Sequence, residues 1–116
     1  MARFNDTTVN GNLSVSGSAS AQSFHATSDR RLKTNITEYT PKKSVLNLNV
    51  YEYDFISNNE HTIGCMADEL MNICPEIVKE SEGGTLMIEE TKLIYLLLAE
   101  IKKLKITLDE MRGQHV

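Results

Sequence analysis

The amino-acid sequence predicts an α+β protein with a short β-structured N-terminal stem, a small domain rich in β-hairpins and with one short helix, and one long C-terminal helix. Residues 1–27 are rich in Ser, Asn and Gly, whereas residues 28–116 hold nearly all the Leu, Ile and Lys of the chain. In the second part, short apolar alternations between turn residues precede a final segment with helical periodicity. We therefore predict two domains, 1–27 and 28–116.

Very short alternations of apolar and small polar residues make up the first part. Val9, Leu13 and Val15 are its main apolar positions, and the turn dipeptides Asn10-Gly11 and Ser16-Gly17 interrupt them. One chain of this composition cannot bury a core. The pattern fits a flexible linker, and it also fits a β-prism in which small side chains of three chains meet on a shared axis.

The second part begins with a predicted hairpin. Leu46, Leu48 and Val50 alternate with asparagines, and the apolar phase then shifts by one residue, as at a β-bulge. After a turn at 57–60, a second strand is predicted over 61–66.

A short helix and a second hairpin follow. A helical period over 67–73 ends at Pro75. Segments 76–80 and 85–88 flank a Glu-Gly-Gly turn, which is typical of a hairpin. We expect eight residues of this domain to be mostly buried: Leu46, Leu48, Phe55, Ile63, Cys65, Leu70, Ile77 and Val78.

A helix from about residue 89 to residue 112 is predicted next. Its apolar residues recur at alternating spacings of three and four, which defines the a/d seam of a coiled coil: Ile94, Leu97, Ile101, Leu104, Leu108 and Met111. Leu93, Leu96 and Leu98 widen the apolar face near the helix start, where we expect packing on the domain. A surface helix on its own domain is the alternative. A domain of about ninety residues offers little surface for such a helix, so we expect self-association.

The composition argues against several function classes. A net charge of −4 is unlike that of a nucleic-acid binder. Two cysteines, Cys65 and Cys74, lie in apolar surroundings and are expected to be reduced core residues. The histidines are scattered, so we expect no metal site and no cofactor. No apolar run has transmembrane or signal-peptide length, so we expect a soluble protein without membrane insertion.

The segment SDRRLKTNI, residues 28–36, resembles the signature of the C-terminal intramolecular chaperone domain of phage tail spikes, tail fibres and endosialidases. The similarity extends to residues 47–55, 63–70, 74–78 and the final helix, although the Tyr that the family often has before that helix is absent. The resemblance implies a trimer, so the final helix is expected to form a trimeric bundle. It also favours the β-prism for residues 1–27.

The same resemblance implies a self-cleavage site. Family members that cleave themselves use a serine and a lysine five residues later, here Ser28 and Lys33, and the bond at risk joins Thr27 to Ser28. A serine hydroxyl becomes nucleophilic when a base takes its proton. A lysine is that base only when neutral, and burial in a trimer interface favours the neutral form.

Two further residues of the motif are candidates for a supporting role. Asp29 and Asn35 are expected to orient the turn or to bind the oxyanion. The non-catalytic alternative is that Ser28 is a helix N-cap with Asp29 in the first turn, or that Asp29 simply pairs with Arg31.

The expected function is that of a structural phage tail-fibre or tail-tip protein whose chaperone-type domain nucleates a homotrimer. One alternative is a self-cleaving chaperone that is released after folding the stem, and a second is a tip that binds a host receptor. Whether the protein cleaves its own bond between Thr27 and Ser28 stays open, and activity on other substrates is not expected. The expected partners are further copies of the chain, other phage tail or fibre proteins and, for the tip, a host surface receptor. The expected location is the virion, after synthesis in the host cytoplasm.

Overall fold

The computed structural model describes residues 1–113. These residues form two compact units, of which the first is Met1–Ile36 and the second begins at Thr37. The first unit has one regular element, a 3-10 turn at Arg30–Leu32. A single copy therefore forms no strand in residues 1–27. The strands of a β-prism would pair between copies, so the stem and its boundary at residue 27 stay predictions.

The second unit contains two small hairpins and one long helix. Its elements are a 3-10 turn at Val45–Asn47, β1 (Tyr51–Asp54), β2 (His61–Gly64), α1 (Ala67–Met71), a 3-10 turn at Pro75–Ile77, β3 (Val78–Glu80), β4 (Leu86–Ile88) and α2 (Glu90–Gly113). β1 pairs with β2 and β3 with β4, both antiparallel. The α+β class, both hairpins, the short helix and the long final helix are confirmed.

The predicted strand through Leu46 and Val50 is wrong. Ser44 caps a 3-10 turn there, because its Oγ accepts a hydrogen bond from the Leu46 amide at 3.1 Å. Ser side chains favour such local bonds over a β-ladder. The shift of apolar phase between Val50 and Tyr51 therefore marks the start of β1 and not a bulge.

The first hairpin has a close contact across its strands. Tyr51 lies opposite Gly64 in the register, and the Tyr53 ring covers Gly64. A Cβ atom at residue 64 would lie 3.0 Å from the Tyr53 hydroxyl, so any other residue there would require the Tyr53 side chain to shift. Tyr53 also packs edge-on against Phe55, with 5.4 Å between ring centroids.

The core of the second unit lies between α1, the second hairpin and the start of α2. Its buried residues are Val45, Leu70, Cys74, Ile77, Val78 and Leu96. The predicted burial is confirmed for Leu70, Ile77 and Val78, whereas Leu48 and Cys65 are half-buried. The prediction is wrong in a single copy for three exposed residues: Leu46, Phe55 and Ile63. Phe55 and Ile63 belong to a hairpin that packs mainly on itself.

Helix α2 is buried only near its start. Leu96 and Glu100 are buried, and Leu93 packs against the core, as predicted for Leu93 and Leu96. Leu98 is 53% exposed, which corrects its predicted packing on the domain. From Ile101 to Gly113 every residue is exposed. Residues 114–116, the predicted end of the second domain, lie outside the described residues.

Membrane-spanning helices and metal-binding groups were searched for among the described residues. Within residues 1–113, no helix combines the length and apolar character needed to cross a membrane. Over the same range, no group of His, Cys, Asp and Glu side chains has a geometry that would hold a metal ion. Both cysteines are free thiols, Cys74 buried and Cys65 half-buried.

Candidate self-cleavage site

A single 3-10 turn holds the motif of residues 28–33 together. The Leu32 amide donates to the Asp29 carbonyl at 3.0 Å, and the Lys33 amide donates to the Arg30 carbonyl at 3.1 Å. Asp29 is the N-cap, since its Oδ1 accepts a hydrogen bond from the Arg31 amide at 2.9 Å. The alternative in which Ser28 is the cap is therefore wrong, and Ser28 lies one residue before the cap.

The carboxylate of Asp29 is fully engaged by Arg31. Arg31 Nη2 donates to Asp29 Oδ2 at 2.8 Å, and Arg31 Nε donates to Oδ1 at 3.1 Å. The hydrogen bonds from the Arg31 side chain and then its amide lower the pKa of Asp29 below its ordinary value. The same pair raises the pKa of Arg31. Asp29 is thus a charged acceptor that shapes the turn, and its pairing with Arg31 is confirmed.

The turn brings Lys33 back to Ser28. Lys33 Nζ donates a hydrogen bond to Ser28 Oγ at 2.8 Å. Lys33 follows the 3-10 turn in extended conformation, with φ −121° and ψ 148°. Such a distance permits proton transfer in the other direction once the amine is neutral, because the hydroxyl then donates to Nζ.

Asn35 has a special backbone conformation. Its φ is +53°, in the left-handed region, which asparagine tolerates better than most residues. In the described part of the chain, the Asn35 side chain makes no hydrogen bond to Ser28 or Lys33. A role for Asn35 in binding an oxyanion stays a prediction, as does the scission of the bond between Thr27 and Ser28.

The site is open to water in a single copy. Thr27, Ser28 and Lys33 are exposed. Two apolar side chains flank the lysine without being covered, Leu32 at 74% and Ile36 at 54% exposure.

Glu100 is the buried polar residue that sequence reasoning missed. Its side chain is on the core-facing side of α2, and its Oε1 accepts a hydrogen bond from the Val45 amide at 3.1 Å. The signal was its spacing, four residues after Leu96 on the face that packs against the domain. A carboxylate at such a position indicates a buried donor nearby.

Comparison with known protein families finds one family model that matches part of the chain. Residues 28–79 match the family model described as chaperone of endosialidase, which confirms the resemblance seen in the sequence. The matched segment starts at Ser28 and contains Lys33. It supports a chaperone-type domain of phage tail proteins. No curated protein sequence is significantly similar to the chain.

Proposed function

We propose that this chain is a structural phage tail-fibre or tail-tip protein whose chaperone-type domain nucleates a homotrimer through α2. The supporting observation is the seam of α2: Ile94, Leu97, Ile101, Leu104, Leu108 and Met111, which are between 44% and 63% exposed in a single copy. Six large apolar side chains in one row are unusual on the surface of a monomer.

The geometry of α2 supports self-association but does not determine the number of chains. That number is inferred from the family resemblance. The spacing of the row is that of a coiled coil, in which each seam residue inserts between four residues of the facing helix. Heptads of this composition do not fix the number of strands. Three is the number of chains that the chaperone resemblance implies, and the same resemblance is our basis for proposing a three-chain stem for residues 1–27.

Native mass spectrometry of the purified protein tests this function. The expected species has three times the chain mass of 13.0 kDa. A monomer at micromolar concentration would contradict the proposal. Intact mass under denaturing conditions, from the same sample, reports whether the chain has been cut.

A second candidate function is self-cleavage before Ser28, and the 2.8 Å contact between Lys33 Nζ and Ser28 Oγ favours it. In this step the neutral amine takes the hydroxyl proton and Oγ attacks the Thr27 carbonyl carbon. The peptide bond to the Ser28 nitrogen then breaks, and that nitrogen takes a proton. Water hydrolyses the resulting ester, so residues 1–27 leave with a new carboxylate.

Assembly of the trimer would exclude water from the site, which is open to solvent in a single copy. Burial of Leu32 and Ile36 by a neighbouring copy would remove water from Lys33, and a drier site favours the neutral amine. Asp29 and Arg31 would hold the turn in place while this happens. The test is intact mass after long incubation of the trimer at alkaline pH, with fragments 1–27 and 28–116 as the expected products.

The remaining expectations follow from this role. A tail appendage would be made in the host cytoplasm and become part of the virion, in contact with other tail or fibre proteins. The second alternative, a tip that binds a host receptor, has less support because the chain has no Trp and few aromatic residues. Intact chains in purified virions would support the structural role, and stems that end at Thr27 would support release of the chaperone.

A further inference from the structure

The dipeptide Asn10-Gly11 lies at an open bend in the first unit. Both residues are exposed, and neither belongs to a helix, a strand or a 3-10 turn. Gly11 has a φ of +126°, a conformation that residues with a side chain rarely adopt, and no atom lies within 4 Å of the position that a Cβ atom would occupy there. The backbone around Asn10 can therefore rearrange without displacing a packed group.

The side chain of Asn10 can react with the backbone of the next residue. Attack of the Gly11 nitrogen on Asn10 Cγ closes a five-membered ring, so the chain itself holds the two reacting groups close together. A side chain on the following residue hinders this approach, and glycine has none. Every other asparagine of the chain is followed by a residue that has a side chain. Asn10 is therefore the asparagine with the least hindered ring closure.

The attacking nitrogen is also free of backbone restraint. In the described part of the chain, the Gly11 N–H donates to no backbone carbonyl. Asn58 provides a contrast, because its Oδ1 accepts a hydrogen bond from the Glu60 amide at 2.9 Å. A side-chain amide held in this way has to break its hydrogen bond before its Cγ can be attacked, whereas the bend at residues 10–11 imposes no such cost.

We propose that Asn10 is a self-modification site that converts to a mixture of aspartate and isoaspartate through a cyclic imide. The Gly11 nitrogen loses its proton and bonds to Asn10 Cγ, and the bond from Cγ to Nδ2 breaks to release ammonia. Water then opens the imide. Hydrolysis at Cγ gives aspartate, and hydrolysis at the main-chain carbonyl carbon gives isoaspartate. Water is the one co-reactant that this sequence of steps consumes.

The modification would change both the charge and the backbone of residues 1–27. Each event adds one carboxylate to a chain whose net charge is −4. Isoaspartate also inserts one extra carbon into the main chain between Val9 and Leu13, and a strand with a disturbed alternation no longer presents its apolar residues on one face. The inference goes beyond the proposed function and does not depend on the trimer.

Peptide mapping after incubation at alkaline pH tests the site. Trypsin cleaves after Arg3 and Arg30, so one peptide carries Asn10 together with Asn5 and Asn12 as internal controls. We expect a mass increase of about 1 Da, the difference between an amide and a carboxyl group, which fragmentation should locate at Asn10. Asn10 should gain this mass at least about tenfold faster than the two controls. Equal rates at the three asparagines would overturn the inference.

Matched glycine variants show whether the rate depends on ring closure. Gly11→Ala places a methyl group beside the attacking nitrogen and should slow the conversion of Asn10 about tenfold or more. Gly17→Ala makes the same change at another bend, where the preceding Ser16 has no amide to attack, and should leave the rate unchanged. Methylation by an isoaspartyl methyltransferase reports isoaspartate independently of mass. Conversion in Gly11→Ala at the wild-type rate would contradict the proposed chemistry.

The outcomes are separate from those for the proposed function. Conversion of Asn10 leaves the chain uncut, whereas self-cleavage produces fragments 1–27 and 28–116, so intact mass distinguishes the two reactions. A trimer in which Asn10 stays unmodified overturns this inference alone. A monomer in which Asn10 is converted overturns the proposed trimer alone.

Discussion

The Glu100 carboxylate accepts a hydrogen bond from the Val45 backbone amide at 3.1 Å, and Glu100 is only 4% exposed. This bond joins α2 to a turn that lies 55 residues earlier in the chain. It fixes the point at which the helix leaves the core. The part of the α2 seam from Ile101 onward therefore follows directly after an anchored position.

Removing this acceptor should destabilise the domain. Glu100→Ala leaves the Val45 N–H buried without a partner, which costs about 1–3 kcal/mol. Glu100→Gln keeps a side-chain oxygen at the same position and should lose less. Urea unfolding followed by circular dichroism measures both. Equal losses for the Ala and Gln variants would show that the hydrogen bond contributes little.

Leu70 is the centre of the core, with no exposed surface. Leu70→Ala should reduce the free energy of unfolding by about 2–5 kcal/mol, since it removes buried methyl groups and leaves a cavity. Leu46→Ala is the matched control, because Leu46 is 57% exposed and its truncation should change stability by about 0.5 kcal/mol or less. Similar losses at both positions would mean that Leu46 is buried in the assembled protein.

The α2 seam should control self-association. Ile101→Asp together with Leu104→Asp would bury charges in the seam, and an unpaired buried charge is strongly unfavourable. Sedimentation should then show monomers or aggregates. The control is Lys105→Asp with Asp109→Lys, which reverses an exposed ion pair on the same helix. A trimeric seam variant would exclude α2 as the assembly element.

Cleavage, where it occurs, should depend on Ser28 and Lys33. Ser28→Ala removes the nucleophile, and Lys33→Ala removes the base, so each variant should keep an intact chain by mass spectrometry. Arg30→Ala should have a smaller effect, because Arg30 contributes only its backbone carbonyl to the turn. All three variants should remain trimeric, since assembly depends on packing. Cleavage in Lys33→Ala at the wild-type rate would rule out the lysine as base.

The seam variant also tests the coupling between assembly and cleavage. If the trimer dries the site, monomeric Ile101→Asp with Leu104→Asp should not cut. A wild-type rate in that variant would contradict the coupling. A wild type that never cuts, even at alkaline pH, would identify Ser28 as a structural residue beside a permanent turn.

The stability of the 3-10 turn should depend on pH through the Asp29–Arg31 pair. Its hydrogen bonds lower the pKa of Asp29 from 3.8, so the turn gains stability above that value and loses it as the pH falls through the lowered pKa. Arg31→Ala should return the pKa towards 3.8, as measured by carbon NMR of the Asp29 carboxyl. Arg30→Ala should leave the titration unchanged. An unchanged titration in Arg31→Ala would mean that the pair does not form in solution.

The periodicity of apolar residues predicted the secondary-structure elements of this fold better than it predicted which of their side chains are buried. The spacing of apolar residues gave the extent of α2 to within a residue or so, and turn residues located both hairpins. Alternation around Leu46 failed because a Ser44 cap outweighed it. Alternation in β1 and β2 identified a pleated hairpin, but it carries no information about a missing second layer, so Phe55 and Ile63 were placed in a core.

The candidate site was predictable only in part. The resemblance gave the spacing of Ser28 and Lys33, and the structure adds their 2.8 Å contact. A three-residue 3-10 turn has no periodic signature, so its position was not evident from the sequence. Ser28 and Asp29 are both good capping residues, and sequence alone does not choose between them. The buried Glu100 was missed because its partner is a backbone amide distant in the chain.

The exposed half of α2 has a consequence for how this protein responds to dilution. From Ile101 to Gly113 the helix has no buried side chain, and isolated helices of about 12–15 residues or fewer are marginal in water. In a lone copy this segment therefore relies on local hydrogen bonds and should fray. If the proposed trimer forms, the helix content of this segment and the melting temperature of the protein should both depend on protein concentration. In the proposed assembly, the end of α2 would complete its folding only on contact with another chain.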